Sequence, residues 1–174
     1  MVPAASLARV TCALQLLKPA SKSAAIRVAL MSDNLAGDPR AGGCQCGAVR
    51  YELRSAPLEI YVCHCVECRK QSASAFGISV IVRSTAFALT RGAPKRWSRP
   101  THSGRTLDCY FCPDCGSRVW HGDVERDETI SVKGGSFDQP IDLSRAVHIW
   151  ITRALKGVII PEHADRYPHE PGPE

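Results

Sequence analysis

Short runs of apolar and β-branched residues, each ended by turn residues, recur along the middle of the chain. Strands favour such runs, whereas an amphipathic helix needs an apolar stripe with a period of 3.6 residues. No segment longer than about ten residues carries that helical period. The sequence therefore predicts an all-β domain, with strands over residues 48–53, 60–62, 76–82, 86–90, from 95, and over 105–111, 119–121, 129–133 and 146–151.

The length of 174 residues fits one domain, which we place at residues 40–160, with a C-terminal tail at 161–174. Residues 1–39 are rich in Ala, Ser, Leu and Val and contain no acid before Asp33. They are interpreted as a disordered arm or as an N-terminal extension produced by the choice of start site, since Met31 is an alternative beginning. A transit peptide is the remaining interpretation, because such segments are basic and poor in acid.

The net charge of +5 does not mark a nucleic-acid-binding domain. Four basic residues and no acid lie in residues 1–30, which leaves 18 basic against 17 acidic residues in the remainder. A near-neutral domain offers no basic face, so nucleic acid is not expected as a partner. No apolar run approaches the roughly 20 residues that span a bilayer, so we also expect no membrane partner.

Nine cysteines distinguish this composition from that of an ordinary domain. An odd number cannot pair completely as disulfides, and the spacings are too short for a secreted scaffold. Closely spaced cysteines in a reducing compartment are more often metal or redox sites. We therefore expect a cytoplasmic protein.

Two cysteine pairs from distant parts of the chain form the first candidate site. Cys112 and Cys115 have the two-residue gap of a zinc-knuckle turn, followed by Gly116. Cys44 and Cys46 are the obvious partners, because four thiolates complete a tetrahedral, structural zinc site. Such a site would tie the start of the domain to its middle and stabilise the fold.

Cys63, Cys65 and Cys68 form the second candidate site, with no fourth ligand in reach along the sequence. Three protein ligands leave one position of a tetrahedral zinc to water or a reactant, as a catalytic site requires. Two alternatives stay open at this point. Cys63 and Cys65 could instead join the Cys112 pair, or the three cysteines could be a redox trio without metal.

The polar residues after Cys68 are candidate substrate contacts. Arg69, Lys70 and Ser72 follow directly on the second site, and a basic pair suits a carboxylate of a peptide thiol. A solvated turn is the equally simple interpretation of the same residues.

Other residues of chemical interest receive structural interpretations. Cys109 is expected to be a small buried residue, because free cysteine is among the most buried residue types. His64 alternates with its cysteine neighbours on an extended segment and is expected to be exposed, with a role in supporting the cysteines or contacting substrate as the alternative. His121 and His148 lie in predicted strands and are interpreted as packing residues.

Three cysteine motifs together resemble one family. Residues 43–51 (GCQCGAVRY), 63–70 (CHCVECRK) and 111–117 (FCPDCGS) are similar to the family of glutathione-dependent formaldehyde-activating enzymes, which also includes centromere protein V. The resemblance spans roughly residues 40–155 and implies a β-tent zinc-binding fold built of short antiparallel sheets. It also implies two zinc ions, a structural one on the four-cysteine set and a more labile one on the three-cysteine set.

The three-thiolate site leads to a functional hypothesis. We expect a zinc-dependent carbon–sulfur lyase or synthase that joins a small-molecule thiol, such as glutathione, to a small aldehyde, such as formaldehyde. The alternative is a zinc-stabilised binding module without catalysis. The two differ in whether the second zinc site is needed for thiol binding or only for folding.

Overall fold

The computed structural model describes residues 40–101 and 104–171, and it confirms the β class. The predicted arm or extension at residues 1–39 lies outside the described residues. Ten strands and one α-helix follow one another along the chain: β1 (Arg40–Gly43), β2 (Arg50–Leu53), β3 (Glu59–Cys63), α1 (Val66–Ser72), β4 (Gly77–Arg83), β5 (Phe87–Arg91), β6 (Lys95–Pro100), β7 (Thr106–Phe111), β8 (Arg118–His121), β9 (Thr129–Lys133) and β10 (Val147–Ile149).

The strands form a small and a large sheet. The small sheet has the order β1-β2-β5, and the large sheet has the order β10-β3-β4-β9-β8-β7-β6. All neighbouring strands are antiparallel except β10, which runs parallel to β3 with Val147 opposite Tyr61. The expected antiparallel architecture therefore holds with one parallel strand at the edge. The apolar run at residues 76–82 corresponds to β4, which lies between β3 and β9 in the interior of the large sheet. A strand with neighbours on both sides is covered by them, which fits its apolar sequence.

The core lies between the small sheet and one face of the large sheet. The ring of Phe87, on the small sheet, stacks on Tyr51 at 5.3 Å and meets Trp120 of the large sheet at 4.8 Å between centroids. Alternate residues of a strand project to opposite faces. The valines and isoleucines at one parity therefore enter this core: Ile60, Val62, Val80, Val82, Ile130 and Val132. The opposite parity faces the cavity described below.

Strand β1 was not predicted, because Gly42 and Gly43 disfavour the interior of a strand. The glycines serve close packing instead. A Cβ atom on Gly42 would overlap the Tyr51 hydroxyl and the Ser136 carbonyl oxygen. Tyr51 is fully buried and its hydroxyl hydrogen-bonds the Ser136 hydroxyl at 2.9 Å. Glycine therefore allows β1 to pair with β2 directly over the tyrosine ring.

Helix α1 also departs from the expectation, which placed a polar turn at residues 69–72. Its seven residues are too few for a helical period to be visible in the sequence. The helix begins after Cys65, whose side chain accepts a hydrogen bond from the Cys68 N–H as an N-cap.

In the described part of the chain, no helix has the length and apolar character needed to cross a membrane.

The segment at residues 162–171 runs alongside β10. The His148 N–H donates to the Asp165 carbonyl, and the Tyr167 N–H donates back to the His148 carbonyl, each at 2.8 Å. The Ile151 N–H donates to the Tyr167 carbonyl at 3.2 Å. These bonds place residues 162–171 of the predicted tail against the outer edge of the large sheet.

Candidate metal centres and active site

The first cysteine cluster is built from two tight turns. Cys44 follows β1, and the Gly47 N–H donates to its carbonyl at 3.0 Å. Cys112 follows β7, and the Gly116 N–H donates to its carbonyl, also at 3.0 Å. Both glycines have positive φ, +76° and +73°, which a side chain would strain. The hydrogen bond spans three residues in the first turn and four in the second. Each turn ends at a glycine with positive φ and carries a pair of cysteines.

The four sulfurs of this cluster lie within 4.8 Å of one another: Cys44, Cys46, Cys112 and Cys115. The Cys46 Sγ is 3.5 Å from the Cys44 Sγ and 3.7 Å from the Cys112 Sγ. Four sulfurs at about 2.3 Å from a tetrahedral zinc would be about 3.8 Å apart. The cluster therefore has the size of a four-thiolate zinc site.

The second cluster lies where β3 passes into α1. Cys63 is the last residue of β3, Cys65 caps the helix, and Cys68 lies in its first turn. Their three sulfurs also lie within 4.8 Å of one another, and no histidine, aspartate or glutamate of the described residues joins them. The structure thus brings together the two expected sets and does not mix them.

Hydrogen bonds among the three sulfurs of the second cluster shift the pKa values of Cys63 and Cys65 in opposite directions. Hydrogen bonding from the neighbouring Cys63 and Cys68 thiols lowers the pKa of Cys65 to about 2. The same hydrogen bonds to Cys65 and Cys68 raise the pKa of Cys63 far above its ordinary value. Three sulfurs this close cannot all ionise without a cation between them. A soft divalent cation supplies that charge, which is why three clustered thiols are a good donor set for zinc.

The second cluster borders a cavity of about 530 Å³ on the outer face of the large sheet. All three of its cysteines line this cavity, together with Val66 and Glu67. The floor consists of strand residues whose side chains project from the face of the large sheet opposite the core: Tyr61, Ser79, Ile81, Arg99, Leu107, His121, Ser131 and Lys133. Glu170 and Pro171, from the segment along β10, form part of the wall, and the remaining lining residues are Thr101, Arg105, Ile149, Trp150 and Arg153.

A second cavity of about 380 Å³ adjoins the first. Cys68 and Lys133 line both cavities. Cys115 and Arg118 line the second cavity but not the first. Because Cys68 and Cys115 belong to different cysteine clusters, the second cavity lies between the two clusters.

The three predicted substrate contacts lie on α1 and outside the larger cavity. Arg69 is half-buried and Lys70 is exposed, and neither lines either cavity. Ser72 lines the smaller cavity, and its hydroxyl lies 2.8 Å from the Cys68 carbonyl and 2.9 Å from the Phe76 carbonyl. These bonds secure the end of the helix. A role in substrate binding stays a prediction for all three.

The expectation for His64 was wrong, because its side chain is fully buried. Its ring stacks on that of His148, with the His64 Nε2 3.0 Å from the His148 Nδ1. This contact pairs one ring nitrogen of the buried His64, while its Nδ1 has no partner among the described residues. Cys109 is fully buried, as expected.

Sequence reasoning missed the polar floor of the cavity. Lys133 and Ser131 alternate with Ile130 and Val132 in β9, a pattern that identifies two faces. The pattern alone does not show which strands lie beside β9. His121 was interpreted as a packing residue; it is buried, and it lines the cavity because it lies opposite Ser131.

Two comparisons with known proteins bear on this chain. The model of the glutathione-dependent formaldehyde-activating enzyme family matches residues 39–153. Among solved structures, the crystal structure of a Rhodobacter sphaeroides protein from the Northeast Structural Genomics effort matches at 24% sequence identity. That match has a TM-score of 0.47 and covers 62% of this chain and 98% of the other.

Proposed function

Because the chain belongs to the glutathione-dependent formaldehyde-activating enzyme family, we propose that it catalyses the reversible addition of a thiol to a small aldehyde. This is the reaction of a carbon–sulfur lyase or synthase. The observation that supports it best is the second cysteine cluster, whose three sulfurs border a cavity large enough for both reactants. Glutathione and formaldehyde, the reactants in the family's name, are the pair to test first.

The two cysteine clusters are proposed to hold one zinc ion each. The four-sulfur cluster fits a closed structural site, since it has as many donors as the ion has positions. The three sulfurs of the other cluster leave the remaining position to a reactant. When bound, zinc lowers the pKa of a coordinated thiol and holds its sulfur in place.

The reaction makes one bond and moves one proton. The sulfur of the thiolate bonds to the carbonyl carbon, the π electron pair moves to the carbonyl oxygen, and that oxygen takes a proton to become a hydroxyl. The proton lost by the thiol balances the one gained by the oxygen. The product is an S-hydroxymethyl thioether when the aldehyde is formaldehyde.

Two serine hydroxyls are the proposed donors to the new oxygen. Ser79 and Ser131 line the cavity, and each accepts a hydrogen bond of 3.2 Å from the Lys133 ammonium. Since the ammonium has no acceptor, each serine keeps its own O–H for donation. Lys133 thereby positions both hydroxyls toward the cavity.

The proposal is tested by following adduct formation by NMR with the zinc-loaded full chain, glutathione and formaldehyde. Wild-type protein is expected to accelerate the reaction above its spontaneous rate. Cys68→Ser should lose this acceleration and fall from about two bound zinc ions to about one, because one of three donors is removed. Cys109→Ser removes a buried thiol outside both clusters and is expected to keep the rate and both ions.

Two outcomes would count against catalysis. If the wild-type protein fails to accelerate the reaction with several thiols, the chain is a zinc-stabilised binding module. If Cys68→Ser unfolds as readily as a variant of the four-cysteine set, the second cluster serves folding alone.

A further inference from the structure

Three half-buried cationic side chains face the cavities without an acidic partner, whereas Arg105 and Arg153, which also line the larger cavity, are exposed. The cationic subsite consists of these three and one imidazole: Arg99, Arg118, His121 and Lys133. Among the described residues, every ion pair within 4.0 Å involves other arginines. Arg96, on the same strand as Arg99, shows the contrast because it lies 3.6 Å from Asp108. The cations of the subsite therefore lack the neutralisation that other arginines of this chain have.

Hydrogen-bonding capacity in the subsite is also unused. The Arg99 Nε, the Arg118 Nη1 and the His121 Nε2 are buried and have no hydrogen-bond partner among the described residues. Leaving a buried donor unpaired costs free energy, and more so when the group is charged. Two such donors and an imidazole nitrogen without a partner in one region indicate a polar ligand that the described residues do not provide.

His121 and Lys133 fix the character of the subsite. His121 is only 5% exposed, and burial, with repulsion from Lys133 and the two arginines, lowers its pKa to about 2. The imidazole is therefore neutral and adds no charge of its own. Lys133 donates two hydrogen bonds to serine hydroxyls, and an ammonium has three donors. The guanidinium of Arg118 makes cation–π contacts with the Trp97 and Phe111 rings, whose centroids lie 5.4 and 5.3 Å away.

We propose that the cationic subsite binds a carboxylate group carried by one of the two reactants. A carboxylate has two acceptor oxygens, and an arginine fork matches them with parallel hydrogen bonds. The subsite lies beside the second cysteine cluster, because Lys133 lines the same two cavities as Cys68. A bound carboxylate would thus hold its molecule with the reacting end toward the sulfurs. This inference rests on the proposed function for the identity of the reactants.

Two sources of the carboxylate are compatible with this chemistry. Glutathione carries two carboxylates, so the thiol is one source. An aldehyde that bears a carboxylate, such as glyoxylate, is the other. The subsite recognises the shared group, and the probes below separate the two molecules.

The test is calorimetric binding to the zinc-loaded full chain, which needs no turnover. The probes are S-methylglutathione, whose sulfur is blocked, and glycolate, a stable relative of glyoxylate. At least one should bind, and Arg99→Gln and Lys133→Met should each weaken it about 10- to 100-fold, because each removes a charged hydrogen-bond donor. Lys133→Arg should recover most of the affinity. Arg96→Gln, with its arginine already paired, should change affinity by less than about twofold.

The dimethyl ester of S-methylglutathione separates charge from shape without a variant. If the peptide probe binds through its carboxylates, the ester should bind at least about tenfold more weakly. Binding of glycolate alone would assign the carboxylate to the aldehyde. Failure of both probes to bind, or equal affinity in wild type, Arg99→Gln and Lys133→Met, would overturn the inference. That result would leave the proposed function standing if adduct formation is still accelerated.

Discussion

Cys65 carries two roles in a single side chain. Its sulfur belongs to the second cluster, and the same sulfur accepts the Cys68 N–H at 3.3 Å as the cap of α1. Serine is among the best N-cap residues and is a weak zinc ligand, whereas alanine can fill neither role. Two substitutions at this position therefore separate the contribution of the cap from that of the metal site.

We predict that Cys65→Ser and Cys65→Ala lose the second zinc equally but differ in stability. Alanine should lower the free energy of unfolding by about 1 kcal/mol more than serine, since only alanine leaves the first helical N–H groups without a cap. Denaturant unfolding of the two variants, each confirmed by metal analysis to retain about one zinc ion, measures the difference. Identical midpoints for the two variants would show that the sulfur does not act as a cap.

Among single residues, the sequence predicts which side chains of a site lie together only when they are close along the chain. The spacing of Cys112 and Cys115, or of Cys65 and Cys68, is itself the local geometry of a ligand pair. Arg99 and Lys133 approach the same cavity from strands separated by β7 and β8. Their proximity depends on strand order, which no spacing in the sequence encodes.

The elements show the same division between local and long-range information. The alternation in β9 and the apolar run of β4 predict their strands well, because each reflects burial along one segment. Helix α1 was not predicted, because a helix of seven residues is too short to show an apolar period in the sequence. The parallel strand β10 could be predicted as a strand but not as a neighbour of β3, since its hydrogen bonds reach across the chain.

Helix α1 ends in an unfavourable backbone conformation. Ala73, its C-cap residue, has φ +48° and ψ +41°, in the left-handed region that glycine occupies without strain. We predict that Ala73→Gly raises the free energy of unfolding by up to about 1 kcal/mol. Thermal and denaturant unfolding of the zinc-loaded protein measure the change.

Ala75→Gly is the matched control, because Ala75 is not among the described residues with positive φ. That substitution should leave stability unchanged or lower it. A loss of stability at residue 73 equal to that at residue 75 would contradict the argument from backbone conformation.

On the scale of the whole molecule, the first cluster connects the two sheets. Cys44 follows a strand of the small sheet, and Cys112 follows a strand of the large one. The sequence separation between the two cysteine pairs is long, so their closure by the proposed zinc ion would remove much conformational freedom from the chain. The second cluster spans only six residues and constrains the unfolded chain far less.

The two clusters should therefore differ in their effect on folding. We predict that Cys112→Ser lowers the free energy of unfolding by about 4 kcal/mol or more, because it removes a buried ligand of the zinc ion proposed to join the sheets. Cys68→Ser should lower it much less. Circular dichroism melts with metal analysis of both variants provide the comparison, and equal melting temperatures would refute the distinction.

The segment at residues 162–171 covers the outer edge of β10. Its backbone bonds occupy the N–H and C=O groups of His148, which lie on the outermost strand of the large sheet. An uncovered strand of this kind is a template for another copy of the chain. A protein shortened to end at residue 153, where the family match stops, should accordingly self-associate at concentrations at which the full chain does not, as sedimentation velocity would reveal.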